Sequence, residues 1–268
     1  MFHAAYAAGV TELVHADVSE GIATLTLDSP HNRNALSPRL MGELAAGLRT
    51  ALADQSVRVI VLSHAGEVFC SGMDLKATAT AAGAGDMPVS AFPELLAAIW
   101  ESPKPVVARV GGPARAGGIG LVAVCDIAVA GWSATFAFTE VRLGVVPAVI
   151  SVPVLARMLP RVAHELFLTG EVFDAVGAAA AGLVNSAVED NVLDAEVRRY
   201  VDLLMQGAPG ALAATKALLR RPSSGSMAED FAAMAALSAE RFASPEGREG
   251  LAAYAEKRRP SWVPDREA

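Results

Sequence analysis

A chain of 268 residues that is 53% hydrophobic and 19% charged carries ample apolar material for a sizeable core and does not read as disordered. Its formal net charge of −7 argues against a general binder of nucleic acid or anionic membrane; an anionic small ligand would need locally placed Arg or Lys. Cys70 and Cys125, the only cysteines, sit in apolar surroundings, so reduced thiols and a cytoplasmic setting are expected.

In chain order, residues 1–10 are small and apolar without a basic start, which reads as a frayed terminus and not a signal peptide. Ile22–Leu27 alternates and is β-branched, predicting a strand that ends at Asp28-Ser29-Pro30. Ser37-Pro38 supplies an N-cap and a first-turn proline for a helix through about Leu52. Strands follow at 57–63 and 105–110, with glycine-bearing turns at Gly66, Gly72 and Gly111-Gly112. Residues 78–93, rich in Ala, Gly and Pro, read as a loop able to move over a site. Helices are expected at 94–100 and 119–124, and a short strand at 126–130. The apolar run 143–156 is broken by Pro147 and Pro153, well short of the roughly 18 residues of a spanning helix. Strands alternating with helices indicate an α/β architecture with parallel strands. Beyond Asp194 the spacing turns helical, at 195–220 and 227–257, which divides the chain into a core over 1–194 and a helical region over 195–268.

Two glycine-bearing turns carry the chemical interest: Phe69-Cys70-Ser71-Gly72-Met73-Asp74-Leu75, and Gly117-Gly118-Ile119-Gly120. Gly-Gly opening an apolar helix leaves backbone N–H groups uncovered and lets another group approach them. Two such donors aimed at one oxygen form an oxyanion hole, suited to the charge that develops on a thioester carbonyl when its α-proton moves. Glu140, twenty residues beyond Gly120 among Phe136, Phe138 and Val141, is a candidate to move that proton, and an apolar setting would raise its pKa. Taken singly, each glycine turn also reads as an ordinary strand-to-helix turn, Glu140 as a surface glutamate, and no Walker-type lysine follows. His3, His15, His31, His64 and His164 show no metal spacing, so no metal is assigned, and no Ser/His/Asp set is visible.

Together the motifs resemble the crotonase superfamily, the enoyl-CoA hydratase/isomerase group. The resemblance rests on Asn34-Ala35-Leu36-Ser37, on FCSGMDLK at 69–76, on GGIGLVAVCDIAVA at 117–130, on FAFTEVRLGVVP at 136–147 and on EKRRPSW at 256–262. It runs in order over nearly the whole chain. It implies an α/β spiral core of repeated ββα units with a C-terminal helical trimerisation region, assembled as a homotrimer or a dimer of trimers. It also implies an acyl-CoA thioester as ligand, with coenzyme A part of the substrate and no separate cofactor. By motif position the thioester oxygen would be held by the N–H groups of Met73 and Gly117. Arg33 and Leu36 would lie near the adenine, and Ser71, Asp74 and Leu75 would line the nucleotide or pantetheine. Lys76 and an adjacent subunit's Lys257 would meet the phosphates, their alternative being ordinary solvated surface. Cys70 falls where the family accepts Ala, Ser or Cys, so no thiol nucleophile is implied.

Glu140 matches the family's second catalytic glutamate. The first, which orients the attacking water in hydratases, maps onto Gly120. Three readings stay open: a hydratase working through Glu140 alone, a Δ3,Δ2-enoyl-CoA isomerase, and a non-catalytic acyl-CoA binder. The hydratase leads. TEVRLGVVPAVIS at 139–151 looks most like bacterial methylglutaconyl-CoA hydratase-like members, which suggests a branched enoyl chain. Ala148-Val149-Ile150-Ser151 stands where hydratases commonly carry a glycine-rich turn. Arg115 is expected either to face an acidic substrate tail or to pair with Asp126 or Glu140, and Asp126 reads as structural.

Overall fold

The computed structural model describes residues 12–79 and 88–264. It opens on a hairpin of β1 (Val14–Ser19) and β2 (Ile22–Leu27), closed by Glu20-Gly21 with φ of 51° and 77°. Two positive φ angles in a two-residue loop match the twist of the paired strands. β1 escapes the sequence reading because only Val14 of its six residues is buried, so it shows no apolar alternation.

From β2 the sheet grows in parallel through β3 (Val59–His64), β4 (Val106–Val110), β6 (Ile127–Gly131) and β9 (Ser186–Val188), in the order β1-β2-β3-β4-β6-β9. β3 is buried on both faces. Ile60 and Leu62 enter the main core with Leu40, Leu44 and Leu48 of α1 (Pro38–Ala53). Val59 and Val61 point the other way, onto Leu193, Val197 and Val201 of α8 (Leu193–Met205). Ser37 caps α1 as expected, its Oγ accepting from the Leu40 N–H at 3.2 Å.

A second sheet of three short strands, β5 (Ala114–Arg115), β7 (Thr135–Ala137) and β8 (Phe173–Asp174), stands apart in the order β5-β7-β8. Between and beyond the strands come α2 (Leu75–Ala79), α3 (Phe92–Trp100), α4 (Gly117–Val124), α5 (Ala148–Leu155), α6 (Pro160–Thr169) and α7 (Ala175–Ala180). The chain ends in α9 (Pro209–Leu219), α10 (Met227–Ala243) and α11 (Pro245–Glu256). The loop expected over 78–93 has helical ends, because α2 reaches Ala79 and α3 already begins at Phe92; residues 80–87 lie outside those described. Among the described residues no helix is long and apolar enough to cross a membrane.

α9 is tied to the core by one buried cation. Lys216 is 7% exposed, and its ammonium donates to the Asp126 carboxylate and to the Lys104 carbonyl. Asp126 Oδ2 also accepts from the Val106 N–H at 2.7 Å, so it joins the starts of β4 and β6 to the C-terminal helices. Removing one partner from such a pair leaves the other charge uncompensated. Lys216→Met is therefore expected to lower the unfolding free energy by about 3 kcal/mol. Urea denaturation tests this, and a loss under about 1 kcal/mol would show that the pair is not structural.

Candidate active site

Three parallel pairings in succession build the site. Leu36 pairs with Met73, Cys70 pairs with Ala114, and β5 pairs with β7 in the register Arg115↔Ala137. Parallel neighbours leave a sheet at the same edge, about 4.8 Å apart. The turn after Cys70, the start of α4 and the 3-10 turn Thr139–Leu143 that carries Glu140 therefore emerge side by side.

The sequence suggests that the glycine turns follow the central strands directly. They follow instead the short segment at Cys70 and β5, both outside the six-stranded sheet. Gly111-Gly112 carries the chain off β4. A side chain at Gly112 would collide with the Glu67 carbonyl, so the two segments cross only through glycine.

The amides converge by register. The Leu36 N–H donates to the Gly72 carbonyl (2.8 Å) and the Leu36 carbonyl accepts from the Asp74 N–H (3.3 Å). In a parallel ladder this pattern turns the intervening Met73 N–H to the opposite side, toward α4. Gly72, at φ +92°, lies there against Ala116 and Gly117: a Cβ on it would sit 3.0 Å from the Ala116 Cβ and 3.5 Å from the Gly117 nitrogen. The Gly117 and Gly118 N–H groups begin α4, which has no side-chain cap, so they are the donors a helix start leaves unpaired. Ala116 holds φ 49° and ψ −118°, strained for a residue with a Cβ, and this conformation aims the peptide that bears the Gly117 N–H. Gly118 is required for a different reason: its Cβ would fall 2.5 Å from the Cys70 carbonyl oxygen.

Glu140 is the second residue of the 3-10 turn Thr139–Leu143, closed by Gly144 at φ 73°. Its Oε2 is buried and makes no hydrogen bond. Burial therefore pushes its carboxyl above the ordinary range. An orphaned carboxylate oxygen is costly for stability and useful for proton transfer.

No second carboxylate faces it from α4. A Cβ at Gly120 would lie 2.6 Å from Cγ2 of Ile150 on α5 and 3.6 Å from Cε1 of Phe92. Ile150 is 3% exposed and Phe92 is 1% exposed. Phe92 reaches Gly117 as well, with Cε1 3.4 Å from a Cβ placed there, and Leu36 Cδ1 and Met73 Cε close the same side. The site is roofed by hydrocarbon.

Of the residues assigned to coenzyme A, Arg33, Leu36, Ser71 and Asp74 are brought together, with the Ser71 N–H donating to the Arg33 carbonyl at 3.1 Å. Arg33 is exposed and left-handed at φ 59°. Leu36 is fully buried, so its side chain is part of the core and its backbone holds the Gly72 turn. Leu75 and Lys76 are exposed in the first turn of α2, and the Lys76 N–H donates to Asp74 at 3.0 Å. Lys257 is exposed at the end of α11, in another part of the chain.

Arg115 pairs with neither Asp126 nor Glu140. It donates to the Ala114 carbonyl at 2.9 Å and to the hydroxyl of Thr135 at 2.8 Å, fastening β5 to β7, while Asp126 takes Lys216. Sequence reasoning gave Asn34 no role of its own. Fully buried at φ 53°, it accepts from the Ser29 N–H (2.7 Å) and donates to the Val68 (2.8 Å) and Ala65 (3.1 Å) carbonyls, pinning the 29–36 loop to the turn before Phe69. The roles of Ile150 and Phe92 have no local signal, since their significance lies in what they touch.

The turns after Cys70 and at Gly117 and the buried Glu140 carboxyl thus share one edge of the molecule. The family model described as enoyl-CoA hydratase/isomerase matches residues 17–265. The chain belongs to the enoyl-CoA hydratase/isomerase family. A Xenopus laevis protein named enoyl-CoA hydratase domain-containing protein 3, mitochondrial, is 34% identical over 94% of this chain and 87% of its own length. A carnitinyl-CoA dehydratase of Proteus mirabilis is 30% identical over 94% and 99%. The crystal structure of an enoyl-CoA hydratase from Mycobacterium smegmatis superposes with a TM-score of 0.87 at 34% identity, covering 93% of this chain and 98% of that one. The α/β crotonase fold is thus the fold of this protein.

Two outcomes follow from the environment of the ionisable groups. Burial pushes the Cys70 thiol up to about 12 and raises that of Cys125 as well. Neither should react with a disulfide reagent at pH 8 until the protein is unfolded; prompt labelling of the native form would contradict this burial. Glu140 binds its proton more tightly folded than unfolded, so its ionisation lowers stability as pH rises through the window above about 4.3. Glu140→Gln should melt higher than the parent at pH 7.5, with the gap narrowing toward pH 4.5; an equal or lower melting point at pH 7.5 would count against a destabilising charge.

Proposed function

We propose that this protein is an enoyl-CoA hydratase that works through one acid/base, Glu140, with the thioester oxygen held on the N–H groups of Met73 and Gly117. The observation that carries the reading is the buried, unpartnered Oε2 of Glu140 at the edge where the Met73 and Gly117 turns emerge. The names that the relatives carry, hydratase and dehydratase, support it.

Glu140, ionised, takes a proton from water as the water oxygen bonds to C3 of a 2-enoyl thioester. The C2=C3 electrons pass into an enolate whose oxygen is stabilised by the two amides. Glu140, now protonated, returns its proton to C2, so the bond gains one water and the enzyme is unchanged. A binder would have no use for a carboxylate buried at such cost.

The isomerase reading is favoured by one observation, the hydrocarbon of Ile150 and Phe92 over Gly120. There Glu140 would take a proton from C2 of a 3-enoyl thioester and deliver it to C4. Arg33, Ser71, Asp74, Leu75 and Lys76 are proposed to hold coenzyme A, with Lys257 supplied by a second copy in a trimer or a dimer of trimers. Exposed Phe231, Phe242 and Tyr254 on α10 and α11 support such association. Branched enoyl chains, the 3-methylglutaconyl chain among them, remain the preferred substrate class. Arg115 is already engaged by Thr135 and lends that choice no added support.

Crotonyl-CoA and 3-methylglutaconyl-CoA mixed with the protein should lose their conjugated enoyl-thioester absorbance. Glu140→Gln should slow that loss by roughly 100-fold or more while acyl-CoA affinity is kept. The rate should fall on the acid side with a limb above the ordinary carboxylate range, as base function needs Glu140 ionised. Undiminished turnover in Glu140→Gln would refute the assignment.

A further inference from the structure

Gly120 lies one helical turn beyond Gly117, on the same face of α4. The edge of Phe92 touches the Cβ positions of both, so a side chain at 120 would project into the space beside the carbonyl-binding amide. With the Gly117 N–H as the proposed carbonyl-binding amide, position 120 is the next on this face of α4 from which a side chain could reach the proposed site. Ile150 fills it. Its Cγ2 stands 2.6 Å from where a Cβ would be and its own Cβ 3.3 Å away, and it is buried on the helix that follows the Glu140 turn.

We propose that Ile150 is a specificity-determining residue: by occupying this space it denies water a second anchoring group and sets how turnover divides between hydrating C3 and shifting the double bond. The inference rests on the proposed proton transfer by Glu140. Both reactions place their charge on the same two amides and use the same carboxylate, the shift through a dienolate and hydration of the resulting 2-enoyl thioester through an enolate. In the shift, the C2–H bond breaks, the C3=C4 electrons bond to the Glu140 proton at C4, and C2=C3 forms; water takes no part. In hydration, water gives its oxygen to C3 and, through Glu140, a proton to C2. What separates them is whether a water molecule is held at C3, and a wall of methyl groups offers it no hydrogen bond.

Gly120 and Ile150 are a volume-matched pair, so they must be changed together. A glutamate at 120 meets the Ile150 methyl inside any normal contact distance, whereas glycine at 150 would clear the space. The parent, Gly120→Glu, Ile150→Ala and the pair Gly120→Glu with Ile150→Gly would be given trans-3-hexenoyl-CoA, and 2-hexenoyl-CoA and 3-hydroxyhexanoyl-CoA would be separated and counted. Deuterium exchange at the α-carbon of butyryl-CoA would be followed in each, because it needs only Glu140 and the amides.

The ratio of 3-hydroxyhexanoyl-CoA to 2-hexenoyl-CoA is expected to rise about tenfold or more in the pair, which gains an acid/base beside C3. It should rise by a smaller factor in Ile150→Ala, which only admits water, and Gly120→Glu alone should lose turnover. A pair that still exchanges the α-proton with an unchanged product ratio would overturn the role of Ile150. So would Gly120→Glu alone matching the pair, or an unchanged ratio in folded Ile150→Ala if the pair fails to fold. Absence of exchange in the parent would instead overturn the Glu140 reading, and this inference with it.

Discussion

The close approach of the Gly72 turn to the start of α4 is the constraint on which the site depends. Two backbone amides can meet one oxygen only if their chains come within van der Waals contact, and here every side chain that would prevent this is missing or reduced. Gly72 faces the Ala116 methyl, Gly118 faces the Cys70 carbonyl, and Gly112 lets the chain cross Glu67 on its way from β4 to β5. Ala116 carries the strain of the arrangement at positive φ. The surroundings over-determine that strain: β5 is fastened to β7 by Arg115, and the opposite side of the turn is held by Leu36 and Asn34.

α4 is buried along its whole length, which is unusual for a helix whose first amides must remain available. Its far end is stabilised by charge. Arg157 donates to the Ala123 and Cys125 carbonyls at 3.2 and 3.1 Å, placing a cation at the negative end of the helix dipole, and Lys216 meets Asp126 immediately beyond. The terminal helices thereby fix the element whose start is proposed to hold the thioester oxygen. Glu140 is the opposite case, with one carboxylate oxygen, Oε2, buried without a hydrogen bond, a local violation of the kind that folds tolerate at functional sites.

Much of the site was legible before the structure. The glycine turns at Gly72 and Gly117, the isolated Glu140 in apolar sequence and the absence of a carboxylate at Gly120 are local facts, each visible in a few consecutive residues. So were β2, α1, α3 and α4, whose apolar spacing or caps are self-contained. The second sheet was not. β5, β7 and β8 are two or three residues long, too short for any periodicity, and exist because their neighbours place them. The ion pairing expected of Arg115 fails for the same reason: its partner Thr135 lies twenty residues away and becomes adjacent only through β5–β7 pairing.

The sequence by itself determined which groups are available: two backbone turns stripped of side chains, one carboxylate among phenylalanines, and enough hydrocarbon to bury them. These depend on residue type and near neighbours, which a linear reading sees. Only the tertiary structure decided where the groups point and what stands between them. Parallel register carried three distant turns to one edge, and packing of α5 on α4 put Ile150 into the space that Gly120 leaves open. Register and packing are relations between segments far apart in the chain, set by the joint burial of all of them, and no single stretch contains them.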